Sequence, residues 1–145
     1  MRTRRGKWAL LAVLVCGLVL PACSEPDGVE LFVRRAEVNG GVYVFSLPLK
    51  DTTAAYDFWL YSSTPSRRPL QNLQLNVQWL APSGDGFAET VYMKTVERLG
   101  SKELYRRAMV PAQAGDWQLS VRPICEDGAI LGLGVICKKH EDGTR

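Results

Sequence analysis

Histidine is nearly absent: His140 is the single one, and it lies in a polar stretch running from Lys138 to Gly143. A Ser-His-Asp triad is hard to build around a residue placed there. The chain also lacks a glycine-rich phosphate loop and a Gly-x-Ser-x-Gly nucleophile elbow. Carboxylates are present in ordinary number. Asp57, inside the apolar run Tyr56–Tyr61, is the one nearest to an unusual setting. It reads as an acid at a strand edge or on a solvated face rather than as a catalytic group. No catalytic residues are expected and no cofactor is implied. A basic excess is missing too, although the formal net charge is +3. Of the 18 Lys and Arg residues, Arg2, Arg4, Arg5 and Lys7 fall in the first 22 positions, which hold no acid. The remainder has 14 basic against 15 acidic residues, a net charge of −1, which argues against a nucleic-acid partner. The pairs Arg34-Arg35, Arg67-Arg68 and Arg106-Arg107 are scattered and read as solvated.

Long hydrophobic runs are lacking as well. The longest, Trp8–Leu20, has 13 residues and as a helix would reach about 20 Å, short of a bilayer core of about 30 Å. Preceded by the basic Met1–Lys7 and followed by Pro21-Ala22-Cys23, it has the grammar of a cleaved secretory signal. Leu20-Pro21-Ala22-Cys23 resembles a bacterial lipobox. Residues 1–22 are therefore expected to leave, with Cys23 acylated as the new N-terminus. Two or three acyl chains hold a protein on a membrane, since each buried CH₂ contributes about 0.8 kcal/mol. Ser24, rather than Asp, follows the cysteine and points to the outer membrane, by analogy with lipoprotein sorting. Glu25-Pro26-Asp27 adds an acidic tether. The expected layout is residues 23–28 as lipidated cysteine and tether, 29–139 as one domain, and 140–145 as a polar tail.

Cysteine is scarce in what remains. Cys16 leaves with the signal and Cys23 takes the lipid, so Cys125 and Cys137 are left. Together with His140 they are too few to suggest a zinc site, and no metal is expected. If Asp127-Gly128 forms a two-residue hairpin turn, Cys125 pairs with Ile130. Cys137 then lies about 23 Å further along the strand, beyond the 7 Å or so that a disulfide tolerates. No Cys125–Cys137 bond is expected.

The pattern that is present is a period of two. Tyr43, Phe45, Leu47 and Leu49 alternate with Val44, Ser46 and Pro48; Leu73–Trp79 and Trp117–Val121 alternate likewise. Such alternation marks strands with one buried face. Less regular candidates are Val29–Ala36, Tyr56–Ser62, Glu89–Glu97, Glu103–Val110 and Ile130–Lys138. Asn39-Gly40-Gly41, Pro65 to Pro69, Pro82 to Gly86, Gly100-Ser101, Ala114 to Asp116 and Asp127-Gly128 supply turn chemistry between them. About eight short strands without a long amphipathic helix predict an all-β antiparallel sandwich. Phe45, Trp79 and Trp117 lie in phase with the apolar stripes and belong in its core. Trp59 and Tyr61 differ, because both parities of Tyr56–Tyr61 are apolar. Either that strand is covered on both faces, or Trp59 and Tyr61 are presented to a partner.

From Tyr43 onward the order of features resembles the GldH family of gliding-motility lipoproteins. After the lipobox come a strand ending in Asp (Phe45–Asp51), an aromatic-rich strand (Tyr56–Tyr61) and the step Arg68-Pro69-Leu70-Gln71-Asn72-Leu73. Glu89-Thr90-Val91, Gly115-Asp116-Trp117 and a closing glycine-containing apolar strand before basic residues (Leu131–Lys139) follow. The resemblance implies an outer-membrane lipoprotein that supports gliding motility and the linked secretion machinery through protein–protein contacts, without catalysis. The alternative is a surface-displayed glycan-binding or adhesion module that stacks a sugar on Trp59 and Tyr61.

Overall fold

A computed structural model describes residues 28–65, 70–96 and 102–143. The signal segment, Cys23, the acidic tether, Arg67-Arg68 and the Gly100-Ser101 turn lie outside the described residues. Eight strands are found within them: β1 (Gly28–Arg34), β2 (Tyr43–Leu49), β3 (Tyr56–Ser63), β4 (Leu70–Leu80), β5 (Gly86–Val96), β6 (Glu103–Met109), β7 (Gly115–Ile124) and β8 (Gly132–Lys139). They form two antiparallel sheets, ordered β1-β8-β3-β6 and β2-β7-β4-β5. Every connection except the β4–β5 hairpin passes from one sheet to the other. The fold is an all-β sandwich.

Alternation explains which face of each strand is covered. On β2, Tyr43, Phe45, Leu47 and Leu49 are buried while Val44, Ser46 and Pro48 are exposed. The same rhythm runs through the middle of β4 and β7 and delivers Leu75, Val77, Trp79, Leu119 and Val121 to the interior. Trp79 lies at the centre of this core. Phe58 meets it edge-on at 5.1 Å and Trp117 at 6.3 Å, and the Tyr105 ring runs nearly parallel to it at 6.4 Å. Edge-to-face and offset pairs at such spacings are favourable beyond the area they bury.

The Asp127-Gly128 turn exists, with the Ala129 N–H donating to the Glu126 carbonyl at 3.0 Å. The hairpin expected from it does not. β7 belongs to one sheet and β8 to the other, so this segment carries the chain across the sandwich. Ile130 plugs the core on the way, while the Leu131 N–H bonds to the Ser63 carbonyl. Cys125 is exposed and Cys137 buried, and both thiols are free. Their separation therefore comes from this crossing, not from the hairpin register inferred from sequence.

Candidate functional site

The aromatic run of β3 divides by parity. Tyr56, Phe58, Leu60 and Ser62 point into the sandwich, and Asp57, Trp59 and Tyr61 lie on the outer face of the β1-β8-β3-β6 sheet. The reason this face is flat enough to hold rings lies in β8. Its inward residues Leu133, Val135 and Cys137 are core, while two of its outward positions are Gly132 and Gly134. A Cβ on Gly134 would come within 2.2 Å of the Tyr61 ring, and one on Gly132 within 2.3 Å of the Phe32 ring. The glycines thus form a floor on which Phe32 from β1 and Tyr61 from β3 lie parallel, 5.7 Å apart. Trp59 continues the row between Ile136 of β8 and Leu104 of β6.

Trp59 and Tyr61 are half-buried, between the two alternatives left open by the sequence. Phe32 and Leu104 are more open, at 41% and 47% exposure. Sequence reasoning missed both as members of this row. The recoverable signal was the Gly-x-Gly spacing in β8, which leaves space on one sheet face for large neighbours. Polar groups rim the row. The Tyr61 hydroxyl donates to Glu30 at 2.9 Å, and Lys102 lies 5.8 Å from the centre of the Tyr61 ring and 4.0 Å from Glu30. Burial, with help from the Glu30 bond, pushes the Tyr61 hydroxyl up to about 12. An apolar strip with a charged rim is the usual anatomy of a protein-binding surface.

Two polar clusters contradict the sequence reading. His140 is not solvated, since its side chain is 11% exposed and its Nδ1 lies 2.8 Å from the Asp57 carboxylate. Asp57 in turn is 14% exposed and accepts the Ala108 N–H at 2.7 Å. Ala108 has a φ of 52°, in the left-handed region that L-residues seldom occupy. A side chain on β3 thereby satisfies a backbone group that irregular β6 takes out of the ladder. Burial alone would raise the Asp57 pKa, but the bonds from His140 and Ala108 hold it below the ordinary carboxylate value.

Arg106 is likewise not a free surface cation. Its Nη2 and Nε donate to Glu89 at 2.7 and 3.2 Å, and its guanidinium lies 4.9 Å from the Phe87 ring centre. Glu89 also accepts from the Tyr105 hydroxyl, which itself accepts the Trp79 indole N–H at 2.8 Å. This chain of bonds closes the seam between edge strands β5 and β6. Arg35, from another basic pair, is paired with Asp127. Both border a cleft of about 220 Å³ at the far end of the sandwich, together with Tyr43, Cys125 and Ile130.

Among the described residues no helix is long and apolar enough to cross a membrane. No family model, curated protein or solved structure matches the chain.

Proposed function

We propose that the chain is a lipid-anchored, non-catalytic protein of the outer membrane that holds a protein partner on the outer face of its β1-β8-β3-β6 sheet. The observation that carries this reading is the contiguous row Phe32, Tyr61, Trp59 and Leu104, bordered by Glu30 and Lys102. Aromatic and aliphatic side chains gathered on one rigid face, with charges at the margin, suit a protein partner. A sugar-stacking role for Trp59 and Tyr61 draws less support, because the Tyr61 ring already meets Phe32 and Lys102 and its hydroxyl is held by Glu30.

Anchoring rests on the lipobox-like Leu20–Cys23. From Cys23 to Gly28 the chain can span at most about 18 Å. A domain so tethered stays at the membrane surface, where a weak contact suffices because the effective partner concentration is high. The order of features shared with the GldH family suggests components of a gliding-motility and secretion machinery as the partners. The test is affinity purification from solubilised membranes with mass spectrometry, comparing wild type with Cys23→Ser and Leu104→Asp. Motility or secretion components that co-purify with wild type and are lost in both variants would support the proposal. Their absence from the wild-type sample, or full retention by Leu104→Asp, would overturn it.

A further inference from the structure

The outer face of the β2-β7-β4-β5 sheet has a different chemistry. Ser120 of β7 lies between Val44 and Gln78, and Gln78 lies beside Ala88 of β5. One row along, Arg122 lies beside Asn76, and Asn76 beside Thr90. The short Ser120 and Ala88, set among longer neighbours, leave a trough of about 440 Å³. Ligand sites commonly fall between about 300 and 1,000 Å³.

Three hydrogen bonds fix the trough walls before any ligand arrives. The Thr90 hydroxyl donates to Asn76 Oδ1 at 3.2 Å, Gln118 Nε2 donates to the Ser120 hydroxyl at 3.1 Å, and Arg122 Nη1 donates to the Gly40 carbonyl at 3.1 Å. The Asn76 NH₂, the whole Gln78 amide and the other Arg122 N–H groups then have no partner among the described residues. Glu89 borders the trough, but its carboxylate is committed to Arg106 and Tyr105. Arg122 is left as the charge facing a ligand.

A multiply charged anion would meet a single guanidinium here, that of Arg122, among uncharged amides and hydroxyls. An apolar ligand would strand the amides, at the cost of buried polar groups without partners. Primary amides both donate and accept, as vicinal hydroxyls do. Val42 and Ala88 offer small apolar surfaces to the C–H side of a sugar ring, and Tyr92, one outward position beyond Thr90, is exposed. We propose that this trough binds a neutral oligosaccharide, at a site separate from the aromatic row and independent of the reading given to it.

The test uses the mature membrane-anchored protein in a detergent without sugar headgroups, titrated calorimetrically with cellohexaose, hexa-N-acetylchitohexaose and maltohexaose, and with hexagalacturonate as an acidic control. At least one neutral hexasaccharide is expected to bind with a dissociation constant of about 1 mM or tighter, in preference to the acidic one. Asn76→Ala with Gln78→Ala should weaken it about tenfold, the loss of two neutral hydrogen bonds. Ser120→Trp, which fills the trough, should abolish it, and Trp59→Ala should leave it unchanged. All these positions are at least partly open to solvent, and retained thermal midpoints would establish that the variants are folded. The proposal is overturned if no neutral hexasaccharide binds at about 10 mM, if binding survives both trough variants, or if Trp59→Ala abolishes it.

Discussion

Replacing Tyr105 by Phe removes one oxygen and leaves the rings in place. That oxygen accepts the indole N–H of Trp79, at 2.8 Å, from the centre of the core. Trp79 has no exposed surface, so its N–H cannot turn to water when the acceptor is gone. A buried donor stranded in this way costs about 1–3 kcal/mol. Glu89 loses a bond too, but it keeps Arg106 at 2.7 Å and is partly open to water, so it adds little. With urea slopes of about 1–3 kcal/mol per molar for domains of this size, the unfolding midpoint should fall by about 1 M. Equilibrium urea unfolding followed by tryptophan fluorescence and far-UV circular dichroism measures it. Tyr92→Phe is the control, because Tyr92 is exposed and should change stability by less than about 0.5 kcal/mol. A Tyr105→Phe protein within about 0.5 kcal/mol of wild type would refute the argument. It would mean that the indole N–H is satisfied elsewhere or reaches water.

Gly134→Ala places a methyl group where the Tyr61 ring lies. It should cost about 1–3 kcal/mol by overpacking, lower the urea midpoint and weaken partner capture without touching the core. Asp57 titrates below its ordinary value in the folded protein, so the native state binds fewer protons than the unfolded one. The stability it supplies is present above the ordinary carboxylate pKa and is lost as pH falls below it. Asp57→Asn should therefore lower stability at pH 7 and flatten the loss that sets in as pH falls below the ordinary carboxylate value, as read by urea midpoints at a series of acidic pH values. Cys137 is buried, and burial together with the nearby Asp57 charge pushes its thiol up to about 12. Partial burial raises the Cys125 thiol as well, but in the Cys23→Ser mature chain at pH 8 a thiol reagent should still modify the exposed Cys125 in the folded protein and Cys137 only after unfolding. Equal rates for the two thiols would contradict the placement of β8.

Where side chains alternate strictly, the strands were legible. Tyr43–Leu49 was bounded as observed because its odd positions enter the core and its even ones meet water. The closing strand was harder. Each residue from Gly132 to Cys137 is buried, so β8 shows no alternation, and its glycines make sense only beneath the rings of Phe32 and Tyr61. The Asp127-Gly128 signal reported a true local reversal. A tight turn, however, says nothing about which sheet receives the next strand. The His140–Asp57 pair joins residues 83 apart in sequence, and the bonds among Trp79, Tyr105, Glu89 and Arg106 draw on three strands. Such meetings depend on register and on the bulges in β6, neither of which leaves a local pattern. For Trp59 and Tyr61 the ambiguity itself was informative. Both parities of their strand are apolar because its outer face carries a ring-bearing surface rather than a solvated one.

The outer face of the β1-β8-β3-β6 sheet is proposed to meet a protein while the chain is held at the membrane. Site-specific photocrosslinking in living cells tests this most directly, with the reactive side chain placed at Leu104 in one strain and at Gln118, on the opposite sheet, in another. The prediction is a discrete crosslink from Leu104 to a motility or secretion component, lost when Cys23→Ser removes the anchor, with none from Gln118. No protein adduct at Leu104, or the same adducts from both positions, would contradict it.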